Sequence, residues 1–238
     1  MAALGFFQWR REEGLYEAEA EKYSLAAIWA SCHPLWATSL MNRGVLQWAP
    51  LFMLGVWASS EDVGVYGAAM RAAMLVSFML FAINNILGAK FAELYALGDM
   101  QALGQTARRS ALLVTLLASP IFLIFIVGGK WIMAIFGPEF VSGWRVLAVL
   151  TVGQFISTLA GSVNLILNVT GNEHILRNIT FLSAIALILA CVILIPLYGL
   201  IGAAIATAAA TVFVNLAAAY AVWAKCGIST VPIWGGRL

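Results

Sequence analysis

Long apolar runs recur along this chain and decide most of what it can fold into. The run from residue 110 to residue 129 contains no charged side chain, and comparable runs precede and follow it. Crossing a hydrocarbon core about 30 Å thick takes roughly 20 apolar residues in a helix. Hydrophobic residues make up 63% of the chain and charged residues 10%, whereas soluble domains are about half apolar and a quarter charged. The sequence therefore predicts an all-α membrane protein, a bundle of about six transmembrane helices.

The predicted spans follow the apolar runs and divide the chain into three parts. The charged residues 1–33 predict a cytoplasmic or interfacial N-terminal segment, residues 34–228 a six-helix transmembrane lobe, and residues 229–238 a cytoplasmic tail. Polar and turn-forming residues, such as the acidic group at 59–62, limit the spans. The six spans are predicted at about residues 35–58, 65–87, 110–129, 146–167, 179–197 and 201–224.

The distribution of Lys and Arg predicts the orientation, because positively charged loops are retained on the cytoplasmic side. If the N-terminus is inside, only Lys130 and Arg145 fall on the outer side. Nine basic residues then fall on the inner side: Arg10, Arg11, Lys22, Lys90, Arg108, Arg109, Arg177, Lys225 and Arg237. We therefore expect a multi-pass protein of the cell inner (cytoplasmic) membrane, with both termini inside and the lipid bilayer as its first partner. The net charge of +2 is dispersed, which argues against nucleic acid as a partner.

Two arginines fall inside predicted spans, where a charged side chain is costly unless it meets water or a partner. Arg43 belongs to the first span because the apolar stretch after it is too short to cross alone. Arg71 lies near the start of the second span, and residues 72–91 could cross without it. Each could line a cavity, or its long side chain could reach the headgroups instead.

Polar uncharged residues within the spans are further candidates for the same cavity. They are Asn84, Asn85, Gln154 and Asn215. The structural alternative for each is a hydrogen bond between helices. All eleven Asp and Glu residues fall outside the predicted spans, whereas a site for an organic cation or a proton relay normally places a carboxylate in the bundle. Guanidinium groups without an acid suit an anion such as a pyrophosphate.

The usual sequence signatures of enzymes do not occur in this chain. It has no glycine-rich phosphate loop, no zinc-type His pair and no nucleophile elbow, and its two His residues are far apart. We therefore expect no enzymatic activity, no cofactor and no metal site.

Four segments in matching order resemble the C-terminal half of the oligosaccharide (polysaccharide biosynthesis) flippases, which are related to the lipid II flippases and to the multidrug and toxin extrusion transporters. Residues 63–71, VGVYGAAMR, are similar to the family pattern VGxYxxAxR, and residues 135–140, IFGPEF, to its lFGpeF turn. Residues 168–171, NVTG, are similar to the end of a family helix, and residues 195–206, IPLYGLIGAAIA, to its iPxyGixGAAiAT hairpin. The resemblance extends from about residue 34 to about residue 228.

The resemblance implies one lobe of a two-lobed transporter that moves a lipid-linked oligosaccharide across the membrane for polysaccharide biosynthesis. It places Arg71 where lipid II flippases carry a cavity arginine, and it implies a pyrophosphate-bearing glycolipid as the substrate. Because relatives have two six-helix halves, a second copy or a missing N-terminal lobe is an expected partner. The alternatives are a lobe of a multidrug or organic cation antiporter, and a membrane fragment that does not transport.

Overall fold

The computed structural model describes residues 36, 38–228 and 230, apart from the side chains of Asn42 and Arg43. The described residues form helices joined by short connections, with no β-strand among them. The elements are a π-helical segment (Met41–Leu46), α1 (Gln47–Trp57), α2 (Ser60–Ala96), α3 (Met100–Val127), α4 (Gly129–Ala134), a 3-10 segment (Pro138–Gly143), α5 (Trp144–Ala160), α6 (Val163–Val169) and α7 (Glu173–Cys226). The predicted N-terminal segment 1–33 lies outside the described residues, as does the predicted tail apart from Thr230.

Helix α2 extends beyond the predicted span 65–87 at both ends. Its start is fixed by a capping box, in which the Ser59 hydroxyl accepts from the Asp62 amide at 3.1 Å and the Asp62 carboxylate accepts from the Ser59 amide at 3.3 Å. This reciprocal pair satisfies donors that the first helical turn would otherwise leave free. Helix α3 likewise begins at Met100 rather than near residue 110, capped by the Asp99 carboxylate. Helix length and apolar run length therefore differ here, because polar helix ends continue outside the apolar stretch.

Helix α7 is a hairpin of two helical parts rather than one rod. Gly199 interrupts it with φ 57° and ψ −133°, a backbone conformation outside the helical region. The Ser183 hydroxyl donates to the Ala210 carbonyl at 3.2 Å, which joins positions on either side of the break. The two parts, residues 173–198 and 200–226, therefore run antiparallel. Each is longer than the roughly 20 residues that a membrane span needs.

Four helical segments of the described chain are long and apolar enough to cross a membrane: Ser60–Ala96, Met100–Val127, Pro138–Ala160 and Glu173–Cys226. The all-α membrane bundle predicted from the sequence is thus confirmed. The count of six spans stays a prediction; it depends on α1 and on counting the α7 hairpin twice.

The bundle has two ends, which we name by glycines in their turns. At the Gly199 end, the 3-10 segment packs on the start of α2, and Phe140 lies beside Gly64. At the Gly98 end, the Tyr95 hydroxyl donates to the Thr170 carbonyl at 3.3 Å. A separate cluster of buried apolar side chains fills each end, one including Leu54 and Tyr66, the other Phe91 and Leu103.

A buried hydrogen bond ties α2 to the second part of α7. The Tyr66 hydroxyl and Thr207 Oγ1 are 2.8 Å apart, and Tyr66 has no exposed surface. Replacement Tyr66→Phe is expected to lower the free energy of unfolding by about 0.6–1.7 kcal/mol, which are the average and the largest values found for such bonds between membrane helices. The measurement is unfolding in mixed micelles titrated with a denaturing detergent. The exposed Tyr220→Phe is the matched control, and an equal effect in both variants would contradict the assignment.

Candidate functional site

One face of α2 near the Gly199 end carries two glycines and an arginine in a helical stripe. Gly64, Gly67, Arg71 and Met74 are spaced by three or four residues, so they lie one above another along the helix. A Cβ added at Gly64 would lie 4.0 Å from the Phe140 ring, and one added at Gly67 would lie 3.7 Å from Leu51 Cδ2. These are ordinary contacts, so the glycines leave free space instead of allowing tight helix contact.

That space is a cavity of about 420 Å³ between α1, α2 and the turn around residues 136–140. Sites for small molecules usually have volumes of about 300–1,000 Å³. The lining residues are Gln47, Trp48, Leu51, Val63, Gly64, Gly67, Ala68, Met70, Arg71, Met74, Phe136 and Phe140. The cavity thus has apolar and aromatic walls, with a guanidinium and one side-chain amide.

The electrostatics of the cavity follow from the position of Arg71. Its side chain is exposed, and it lies eleven residues after the start of α2, which is about 17 Å along the helix axis. No acidic residue is among the described lining residues, so no carboxylate of the wall neutralises the guanidinium. A cation held at bilayer depth needs water or an anion near it. The cavity is therefore suited to an amphiphilic anion.

Asn84 lies elsewhere, beside a break in the helix that follows the 3-10 segment. Helix α5 ends at Ala160, Gly161 takes φ 72° and ψ −149°, and α6 starts at Val163. The Ser162 hydroxyl donates to Asn84 Oδ1 at 2.5 Å, which pins the break to α2. Asn84 is thirteen residues from Arg71, or about 20 Å along α2. Its described role is therefore a hydrogen bond between helices.

The other predicted site residues are not brought together around Arg71. Asn85 is exposed on α2, and Gln154 is partly buried on α5. The Asn215 amide is turned back on its own helix, where it donates to the Thr211 carbonyl at 2.9 Å. None of them, nor Asn84, is among the described residues that line the cavity. Their assignment to a substrate site stays a prediction, and the Arg43 side chain lies outside the described part of the chain.

Small polar side chains are concentrated between the two apolar clusters, about midway along the bundle. Ser157, Thr158, Thr180 and Ser183 are buried there. The Thr158 and Thr180 hydroxyls donate to carbonyls one turn earlier in their own helices, and the Ser183 hydroxyl donates across the α7 hairpin. Four buried side-chain atoms of the described region have no protein partner, namely Thr115 Oγ1, Thr151 Oγ1, Asn164 Oδ1 and Thr230 Oγ1. Buried polar atoms of this kind usually hydrogen-bond to internal water.

Sequence reasoning found Arg71 but not the walls around it. Gln47 and Trp48 lie on α1, and Phe136 and Phe140 lie on a turn that is remote in sequence. The IFGPEF segment was recognisable as a turn, yet nothing in its composition indicates which helix it covers. The only local signal for the free space was the Gly64–Gly67 spacing ahead of a charged residue.

These features define a multi-pass helical membrane protein whose described part has a cavity with an arginine in its wall. No protein-family model matches the chain, and no solved structure matches it. It is similar to the "Probable low-salt glycan biosynthesis flippase Agl15" of Haloferax volcanii, with 24% identity over 162 residues. The aligned part is 68% of this chain and 34% of that protein. The chain therefore matches about a third of the length of this relative, which is named as a probable flippase of glycan biosynthesis.

Proposed function

We propose that the chain is one lobe of a flippase that moves a lipid-linked oligosaccharide across the cytoplasmic membrane for polysaccharide biosynthesis. The observation that carries the proposal is Arg71 in the wall of a 420 Å³ cavity whose described lining has no carboxylate. A guanidinium binds phosphate oxygens through paired N–H donors. The likeness to a glycan biosynthesis flippase supports the same class of cargo.

The proposed orientation puts the Gly98 end in the cytoplasm. Among the described residues, that end carries five basic side chains, Lys90, Arg108, Arg109, Arg177 and Lys225. The Gly199 end carries only Lys130 and Arg145 near its turns among the described residues, whereas each end carries three acidic residues. This asymmetry supports an inside location for the Gly98 end, because Lys and Arg are enriched in cytoplasmic loops. The cavity then lies nearer the outer surface.

A complete transporter needs a second lobe facing this one, since alternating access moves two halves around a shared site. The relative is longer than the matched region, which supports a partner lobe. A second copy of this chain is the alternative. The proposed function therefore requires a partner lobe. Arg71 is the phosphate-binding group that this chain contributes.

Replacement Arg71→Gln is expected to reduce glycolipid translocation at least tenfold, because glutamine keeps most of the side-chain length but loses the charge that binds the pyrophosphate. The assay reconstitutes the purified protein in liposomes with a fluorescent lipid-linked oligosaccharide and follows its accessibility to an external quencher. Arg71→Lys should retain part of the rate, because a point charge still attracts phosphate.

Arg145→Gln is the matched control, since it removes a basic residue at the same end of the bundle outside the cavity. Translocation at the wild-type rate by Arg71→Gln would refute the assigned role of the arginine. If the wild-type protein moves no more glycolipid than protein-free liposomes, alone or with the lobe that copurifies with it, the chain is a membrane protein without this transport activity.

A further inference from the structure

The walls of the Arg71 cavity do not match the sugar part of a glycolipid. Apart from Gln47 and Arg71, the described lining consists of apolar or aromatic side chains and glycines. Sugar hydroxyls placed against such walls would lose hydrogen bonds to water without replacement. A hydrocarbon chain in the same place has no hydrogen bonds to lose, and its surface matches the apolar walls.

The free space follows the α2 stripe toward its charge. Gly64, Gly67 and Arg71 lie on one helix face, so the open volume beside the glycines leads along α2 to the guanidinium. At the Gly199 end, Phe136 and Phe140 line the cavity with ring centroids 6.4 Å apart. Trp48 contributes a half-exposed ring from α1. The result is an apolar slot with aromatic rings along it and a cation in its wall.

We infer that this slot binds the lipid end of the cargo, namely the phosphate and the first carbons of a single hydrocarbon chain esterified to it. Arg71 binds the phosphate, and the chain lies against Gly64, Gly67 and Leu51. The volume is in the lower part of the range for small-molecule sites, which suits a phosphate and the first carbons of one chain. This inference depends on the proposed function for the cargo, and it adds which part of the cargo this cavity recognises.

The test is photoaffinity labelling of the full-length protein in lipid nanodiscs with farnesyl phosphate that carries a diazirine on its hydrocarbon chain. Crosslinks mapped by mass spectrometry are expected on the α1 and α2 walls of the slot. Unlabelled farnesyl phosphate should displace the probe at least tenfold more effectively than farnesol, which lacks the phosphate. Farnesyl phosphate should also displace the probe at least tenfold more effectively than inorganic pyrophosphate, which lacks the chain.

A variant pair tests the geometry. Gly67→Leu fills the slot and should reduce labelling at least tenfold. The matched control is Gly55→Leu on α1, because a Cβ added at Gly55 has nothing within 4 Å and labelling should stay within twofold of wild type. Gly64→Leu fills the slot at a second position and should reduce labelling in the same way. A folding defect in one of the two variants then does not decide the result.

Two outcomes would overturn the inference. Competition by pyrophosphate as strong as that by farnesyl phosphate would make the slot a headgroup site. Equal labelling by a diacyl phosphatidylglycerol probe, not displaced by farnesyl phosphate, would make it an ordinary lipid-facing groove. Normal translocation by Gly67→Leu with loss in Arg71→Gln would refute this inference and leave the proposed function standing, whereas normal translocation by Arg71→Gln refutes the proposed role of the arginine whatever the labelling shows.

Discussion

Replacement Gly202→Ala is expected to destabilise the protein by about 3 kcal/mol or more, although alanine is the better helix former by about 1 kcal/mol. Gly202 lies in the second part of α7, directly opposite the first part across the hairpin. A Cβ added there would overlap the carbonyl group of Leu194. Because that neighbour is backbone, no side-chain rotation can relieve the overlap, and the two helices of the hairpin must separate.

The measurement is unfolding in mixed micelles, followed by far-UV circular dichroism as the fraction of denaturing detergent rises. Gly55→Ala is the matched control, since it makes the same change in a helix interior where nothing lies within 4 Å. The control should be neutral or up to about 1 kcal/mol more stable. Equal stability of the two variants would show that the hairpin is not packed backbone to backbone at Gly202.

The sequence predicted this hairpin because its signal is local. Proline and glycine at residues 196–199 interrupt two apolar runs, and small residues from Gly202 onward predict close helix contact. The structure buries Gly202, Ala203, Ala204 and Ala206, and it places Gly202 against the Leu194 backbone across the hairpin. Local composition was sufficient to predict the hairpin, because so short a connection between two helices places them side by side and antiparallel.

The break at Gly161 gave no such signal. It lies inside the predicted span 146–167, and Ala160, Gly161 and Ser162 are all compatible with a buried helix. Hydropathy predicts which segments lie in the membrane, but it carries no information on a single residue with positive φ. The Asn84–Ser162 hydrogen bond that holds the break joins residues 78 positions apart, so no sequence window contains both partners.

The cavity was predictable in its charge and not in its shape. An arginine within an apolar span is visible in the sequence, and its cost in lipid demands an explanation. The walls depend on how the surface turn with Phe136 and Phe140 folds onto α2. That packing depends on tertiary contacts such as the close approach of Gly143 to Val65. Neither hydrophobic periodicity nor a sequence motif predicts such a contact.

Replacement Gly161→Ala is expected to destabilise the protein by about 2–6 kcal/mol, from two separate causes. The first is conformational: φ 72° with ψ −149° is a backbone region that only glycine adopts readily, at a cost to other residues of about 1–3 kcal/mol. The second is steric: the added Cβ would lie 2.8 Å from the Ala111 Cβ on α3. Overpacking of this kind costs a further 1–3 kcal/mol or so.

A double-mutant cycle separates the two causes. In an Ala111→Gly background the clash is gone while the backbone strain remains, so the penalty of Gly161→Ala should fall by about 1–3 kcal/mol. Gly171→Ala is the conformational control, because Gly171 also has φ 72° but nothing lies within 4 Å of an added Cβ. Its cost should be about 1–2 kcal/mol and independent of Ala111. A penalty at Gly161 that is the same in both backgrounds would mean that α3 does not touch the break, and the positioning of α5 and α6 against α3 would then need another explanation.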